Sequence, residues 1–254
     1  MWRNEVSSLV HDPDDPGREW KLFWHKYFAR EPYADADRLF DRGWIAYRTA
    51  PRPEGPWSEE IRLLASRQFL SPEYEVENDL NSLHPDLAGY RFFSEPEALY
   101  HDGILYLCLE GSRRPEGLGD WEDRKIFLLA SKDHGRSWRY VNKLIGYADA
   151  ENLGYVVLMA ASMFENGGKV FLMVTPAGSI KKEHKDADGM YVFTFKDIRT
   201  GELNRDGQKK LAVYDYIQPD KNVSDSGGHG DYDKGNIAGG IIIGQVKKPN
   251  ILNL

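Results

Sequence analysis

Carboxylates at matching places in two repeats are the feature of this sequence most suggestive of chemistry. The octapeptide Glu5-Val6-Ser7-Ser8-Leu9-Val10-His11-Asp12 overlays Glu95-Pro96-Glu97-Ala98-Leu99-Tyr100-His101-Asp102, with four of eight positions identical. Glu5 and Glu95 head the two copies, and Glu97 adds a third carboxylate. Two carboxyl groups aimed at one bond can divide its cleavage between a proton donor and a base or nucleophile. A third copy, Met159-Ala160-Ala161-Ser162-Met163-Phe164-Glu165-Asn166, starts on a methionine and brings no carboxylate. Late in the chain, Gly227-Gly228-His229-Gly230-Asp231-Tyr232-Asp233 offers an imidazole and carboxylates among glycines that let the backbone pack closely. Trp121, in Gly119-Asp120-Trp121-Glu122-Asp123, is a loop aromatic whose face suits an apolar C–H surface. Trp24 and Trp44 fall within strand-like runs and are assigned to the core.

Other chemistries are poorly supported. Cys108 is the single cysteine, which excludes an intrachain disulfide and a cysteine-based metal cluster; inside Ile104-Leu105-Tyr106-Leu107-Cys108-Leu109 it reads as a core residue. The run His11-Asp12-Pro13-Asp14-Asp15-Pro16-Gly17 lacks the regular ligand spacing of a calcium loop and is expected to be a solvated hairpin turn. No spacing defines a metal site, so no metal or cofactor is expected, although a central calcium ion stays open. The chain has 33 Lys+Arg against 40 Asp+Glu, a formal charge of −7, and no basic stripe. That balance argues against nucleic acid, whose binding needs several phosphate-neutralising cations. Apolar runs fall far short of the ~20 residues of a membrane span, and the N-terminus shows no signal-peptide pattern. Aromatic residues make up 13 %, too rich for a disordered chain.

The elements that must position these groups are strands. Runs rich in β-branched and aromatic residues at 20–28, 43–49, 104–109, 125–130, 169–175 and 189–195 alternate with Gly, Pro, Asp and Asn clusters. Each of the three copies continues through a turn into a second strand, then a third, a tight turn and a fourth. Four-stranded units repeated at wide spacing predict an all-β propeller of antiparallel blades, with a β-sandwich as the alternative. The repeats lie at about 4–67, 94–146 and 156–217, with a partial blade at 224–248, in one domain spanning 1–254. Residues 68–93 are too long for a hairpin turn and lead straight to Glu95, so they read equally as a functional loop or as structural padding.

Two motifs carry a family resemblance. Ser131-Lys132-Asp133-His134-Gly135-Arg136-Ser137-Trp138 fits S-x-D-x-G-x-x-W and resembles the Asp-box turn of sialidase-like propellers. Gly55-Pro56-Trp57 resembles a hairpin of arabinanase- and xylosidase-type five-bladed propeller glycosidases, and residues 94–106 resemble the acidic-Pro-x-Leu-Tyr pattern of their strands. The resemblance implies a hydrolase or binder of oligo- or polysaccharides, with carboxylates facing a central cavity. It makes Glu95 and Glu5 the candidate catalytic pair, with Glu97, His229, Asp231 and Trp121 as substrate contacts. Glycoside cleavage needs two such carboxyl groups flanking the bond. In that family the general acid is a Glu two residues before the proline, a place taken here by Ser94, and the base is usually an Asp of a first blade. A non-catalytic carbohydrate-binding or structural propeller is therefore the alternative. Five four-stranded blades would crowd into 254 residues, which points to a shortened propeller or a fragment. A truncated secreted or periplasmic protein would also lack a visible signal peptide.

Overall fold

The computed structural model describes residues 1–29, 38–113, 123–180 and 189–217, with two short strands at 236–238 and 241–243. Its strands are β1 (Trp2–His11), β2 (Trp20–Ala29), β3 (Arg38–Ala50), β4 (Ile61–Ala65), β5 (Asn78–Asp79), β6 (Phe92–His101), β7 (Ile104–Ser112), β8 (Lys125–Ser131), β9 (Arg139–Ile145), β10 (Tyr155–Asn166), β11 (Lys169–Ser179), β12 (Met190–Asp197), β13 (Glu202–Leu203), β14 (Asp215–Ile217), β15 (Asn236–Ala238) and β16 (Ile241–Ile243). Two short helices, α1 (Leu80–Leu83) and α2 (Tyr147–Leu153), interrupt them.

Three antiparallel meanders follow one another: β1-β2-β3-β4, β6-β7-β8-β9 and β10-β11-β12-β13. They are propeller blades, and their first strands lie innermost, β1 against β6 and β6 against β10. Sheets stacked face to face explain the residue pattern of the middle blade. In β7, Leu105, Leu107 and Leu109 pack on Phe23, Ile45 and Tyr47 of the first blade. The alternate residues Tyr106 and Cys108 pack toward Leu158, Leu172 and Val174 of the third. A strand buried on both faces has no polar side, so β7 and β8 read as continuous apolar runs. Cys108 is fully buried, and that burial pushes its thiol well up from the ordinary range, in keeping with a packing role.

The turn joining β8 to β9 closes on its own side chains. Ser131 Oγ accepts from Gly135 N at 2.7 Å, and Asp133 Oδ1 accepts from Ser137 N at 2.9 Å. Gly135 stands at φ +89°, a conformation that favours glycine, and buried Trp138 donates to its carbonyl at 3.2 Å. Residues 68–93 are built as structure. They hold β5, which pairs parallel with β4, and α1, and they bury Leu70, Val76, Leu80, Leu87 and Tyr90. Asn81 Nδ2 donates to the carbonyls of Leu87 and Tyr90 at 2.6 and 3.0 Å, satisfying backbone that would otherwise lie buried unpaired.

The hairpin after β1 corrects the expectation of a solvated turn. Asp12 is 0 % exposed and Asp15 6 %. Both face the ammonium of Lys21, itself fully buried, with Nζ 3.2 Å from Asp12 and 2.8 Å from Asp15. His134 and Arg136, from the β8–β9 turn, close on the same carboxylates at 3.0 Å each. The cluster therefore clamps the first blade to the second. Asp12, Asp15 and His134 have ligand atoms close enough to share a cation, and the Lys21 ammonium already provides that charge.

Candidate functional site

Each innermost strand breaks its ladder at one place. The register shifts between Glu5 and Ser7 in β1, between Ser94 and Glu97 in β6, and between Met159 and Ser162 in β10. In each bulge one residue adopts a left-handed backbone: Val6 at φ 43°, Glu95 at 53° and Ala160 at 50°. Bulges re-aim side chains, and non-glycine residues at positive φ are rare enough to mark a constrained site.

This geometry revises the overlay of the copies. Ser8 pairs with Phe23, Glu97 with Cys108 and Ser162 with Met173. Each partner faces the same way in its own blade, Phe23 toward the second, Cys108 toward the third and Met173 into the cluster beyond. Glu95 is therefore equivalent to Val6 and Ala160, while Glu5 is equivalent to Ser94 and Met159. The identities had matched the hairpin ends, His11 with His101. A one-residue slip preserves that likeness but exchanges the faces of the sheet.

Glu5 and Glu95 are both half-buried, on neighbouring innermost strands. Tyr27 Oη donates to Glu5 Oε1 at 2.6 Å, and Arg3 stands 3.4 Å from the same oxygen. The Tyr27 ring stacks on His25 at 4.8 Å, which in turn meets Phe92 of the second blade edge-on. Glu5 is thus held by a relay of rings that reaches β6. Farther along the strands, Ser8 Oγ accepts from Ala98 N at 2.9 Å, locking β1 against β6. Glu95 lies three residues before Ala98 and Glu5 three before Ser8, each about 10 Å of strand. The two carboxylates thus belong to corresponding stretches of neighbouring innermost strands.

Glu97, a substrate contact by the resemblance, is 4 % exposed. Burial raises its carboxyl well above the usual range, opposed by a hydrogen bond from Ser8. Its protonated form is favoured on folding, so stability present at low pH is lost as pH rises past the ordinary glutamate value of 4.5. Glu97→Gln, uncharged throughout, is expected to melt above the wild type by a margin that widens between about pH 5 and pH 8. Thermal unfolding across that range checks this, and a margin independent of pH would contradict it.

Glu110, opposite Ser94, was not singled out by the sequence. It is 5 % exposed, its carboxyl raised by burial and partly compensated by Arg124 at 2.8 Å and by the Ala160 backbone of the third blade. Its counterparts opposite Glu5 and Met159 are His25 and Thr175, also buried. Only the strand register could reveal this set of inner polar groups. His229, Asp231 and Trp121 lie outside the described residues.

Beside Glu5 a pocket of about 370 Å³ opens on the face of the first blade turned away from the second. Asn4, Glu5, Val6, Ser7, Leu22, Trp24, Arg48 and Glu60 line it. Trp24 and Trp44, expected in the core, are 8 % and 3 % exposed.

No protein-family model matches this sequence, and neither does any curated protein. Solved structures do. A family 117 glycoside hydrolase of the marine bacterium Zobellia galactanivorans shares 16 % identity at a TM-score of 0.57, over 84 % of this chain and 58 % of that one. The GH32 β-fructofuranosidase of Bombyx mori shares 16 % identity at 0.50, over 79 % and 36 %. The chain thus spans little more than half the length of the first and about a third of the second. At such identity the likeness concerns the fold alone, a β-propeller. Among the described residues no helix is long and apolar enough to cross a membrane.

Proposed function

We propose that this chain acts on glycans, cleaving a glycosidic bond with Glu5 and Glu95 as its paired carboxyl groups. The observation that carries this reading is the matching pair of bulges. Beside them two half-buried carboxylates lie on adjacent innermost strands, which supports the pairing. Glu5 stands two residues before Ser7, the counterpart of Pro96, and so takes the place that the resemblance gives to the general acid. It would protonate the departing glycosidic oxygen. Glu95 would serve the opposite face of the sugar as base or nucleophile.

His229, Asp231 and Trp121 remain the proposed substrate contacts, and the five-bladed type remains the proposed parent architecture. The Ser131–Trp138 turn, closed as an Asp-box would close, supports the propeller reading rather than a sialidase activity. A non-catalytic glycan-binding propeller is the second reading, favoured by Ser94 and Met159 at the places equivalent to Glu5.

Release of reducing ends from a broad panel of oligosaccharides tests the proposal. Glu95→Gln is expected to lower the rate on any responsive glycan by about 10²–10⁴-fold. An unchanged rate removes Glu95 from the chemistry. Glycan binding by the wild type without turnover selects the second reading.

A further inference from the structure

The pocket beside Glu5 is lined by a half-buried arginine that forms no ion pair with a described residue. Arg48 reaches it from β3, its guanidinium lying over the Trp24 ring at 5.9 Å. Its Nε is buried and has no hydrogen-bond partner among the described residues. A buried donor without an acceptor is costly, and more so when charged. Such a cost is tolerated where a ligand supplies the missing acceptor.

The nearby carboxylates are already engaged. Glu60 is held by both of its oxygens on Lys26 Nζ, at 2.9 and 2.7 Å. Glu5 is held by Tyr27 and Arg3. Arg48 forms no ion pair with any described residue, so it is the uncompensated charge of the pocket. The guanidinium lies over the Trp24 ring and is half-buried, so its terminal N–H groups remain to meet a ligand, and such a planar fork suits a carboxylate. Asn4 Oδ1 accepts from Trp24 Nε1 at 3.0 Å, which leaves the Asn4 amide NH₂ as a second donor. The volume falls at the lower end of small-ligand sites. Val6, exposed and β-branched at φ 43°, lines the pocket next to Glu5.

The geometry points to a subsite for an acidic sugar, a uronate whose carboxylate pairs with Arg48 while the adjoining glycosidic bond faces Glu5. This rests on the proposed glycan-cleaving function and adds the substrate class. Calorimetric titration with tetragalacturonate, a sulfated heparin-derived tetrasaccharide and neutral β-1,4-galactotetraose tests it on the full chain. Wild type is expected to prefer the uronate. Arg48→Gln should weaken uronate binding by at least about tenfold and Arg48→Lys by less, with the neutral probe little changed. Tighter binding of the sulfated probe replaces the carboxylate by a sulfate and overturns that assignment. Equal affinity for the neutral probe, no binding of any probe, or uronate binding indifferent to Arg48→Gln overturns the subsite. Glu5→Gln separates the two ideas. Arg48-dependent binding with unchanged turnover in Glu5→Gln rejects the catalytic reading alone, while lost turnover with Arg48-independent binding rejects the subsite alone.

Discussion

Glu5→Gln is expected to lower turnover of a responsive glycan by about 10²–10⁴-fold, with the loss chiefly in kcat. The amide keeps the shape of the side chain and can still accept from Tyr27, so the bulge and its neighbours should persist. What disappears is the carboxyl proposed to protonate the leaving group, at the place where the other two blades carry Ser94 and Met159. A leaving group that departs without protonation should be spared. The defect is therefore expected to shrink on aryl glycosides with acidic phenols and to stay large on natural oligosaccharides. A uniform loss on both would place Glu5 in the base or nucleophile role, and no loss would remove it from the reaction. Tyr27→Phe removes the 2.6 Å bond to Glu5 without touching the carboxyl and should produce a smaller effect of the same kind.

Lys21→Met is expected to destabilise the chain by about 3–5 kcal/mol, the usual cost of breaking a buried ion pair from one side. Methionine fills a similar volume, so the loss is electrostatic rather than a cavity. Without the ammonium, Asp12 is left at 0 % exposure with His134, and Asp15 with Arg136 and Arg18. At about 2–4 °C per kcal/mol for a chain of this size, the melting temperature should fall by on the order of 10 °C. Burial would raise the Asp15 carboxyl, but the bonds from Lys21 and Arg136 outweigh it and hold it below its ordinary value. Its stabilising contribution is thus present above that value and lost as pH falls through the lowered one. Lys21→Met should weaken this acid sensitivity, and Asp15→Asn placed on the variant should recover part of the stability. Urea unfolding at neutral and acid pH measures both, and an unchanged midpoint would show that the clamp is dispensable.

Much of the fold was legible in the chain. Gly, Pro and Asp clusters mark the turns, and the strand-like run at 104–109 falls within β7. The run from Ile104 to Leu109 pointed to a buried strand, because alternate residues must serve two interfaces. Recurrence of four strands across three copies identified the propeller, since an isolated blade cannot bury its own faces. These features are local: backbone propensity, turn chemistry and a period of two are written in neighbouring residues.

The candidate site was legible only in part. Glu5 and Glu95 were found as carboxylates near repeated strand starts, but their equivalence was misjudged by one residue. The bulge that sets the face has no sequence signature as strong as the repeated His-Asp hairpin end. Likewise the acidic hairpin after β1 looks solvated by composition. Its burial depends on Lys21 and on His134, the latter 122 residues away from Asp12. Glu97 closed against Ser8, Glu110 opposite Ser94, and Arg48 unsatisfied over Trp24 are of the same sort. Local sequence determined that this chain makes blades and carries carboxylates at their inner strands. Only the packing of strands distant in sequence decided which carboxylates are enclosed, which are compensated and that Arg48 has no ion-pair partner among the described residues. Desolvation and charge pairing depend on every group that packs within a few ångströms, however far apart the chain places them.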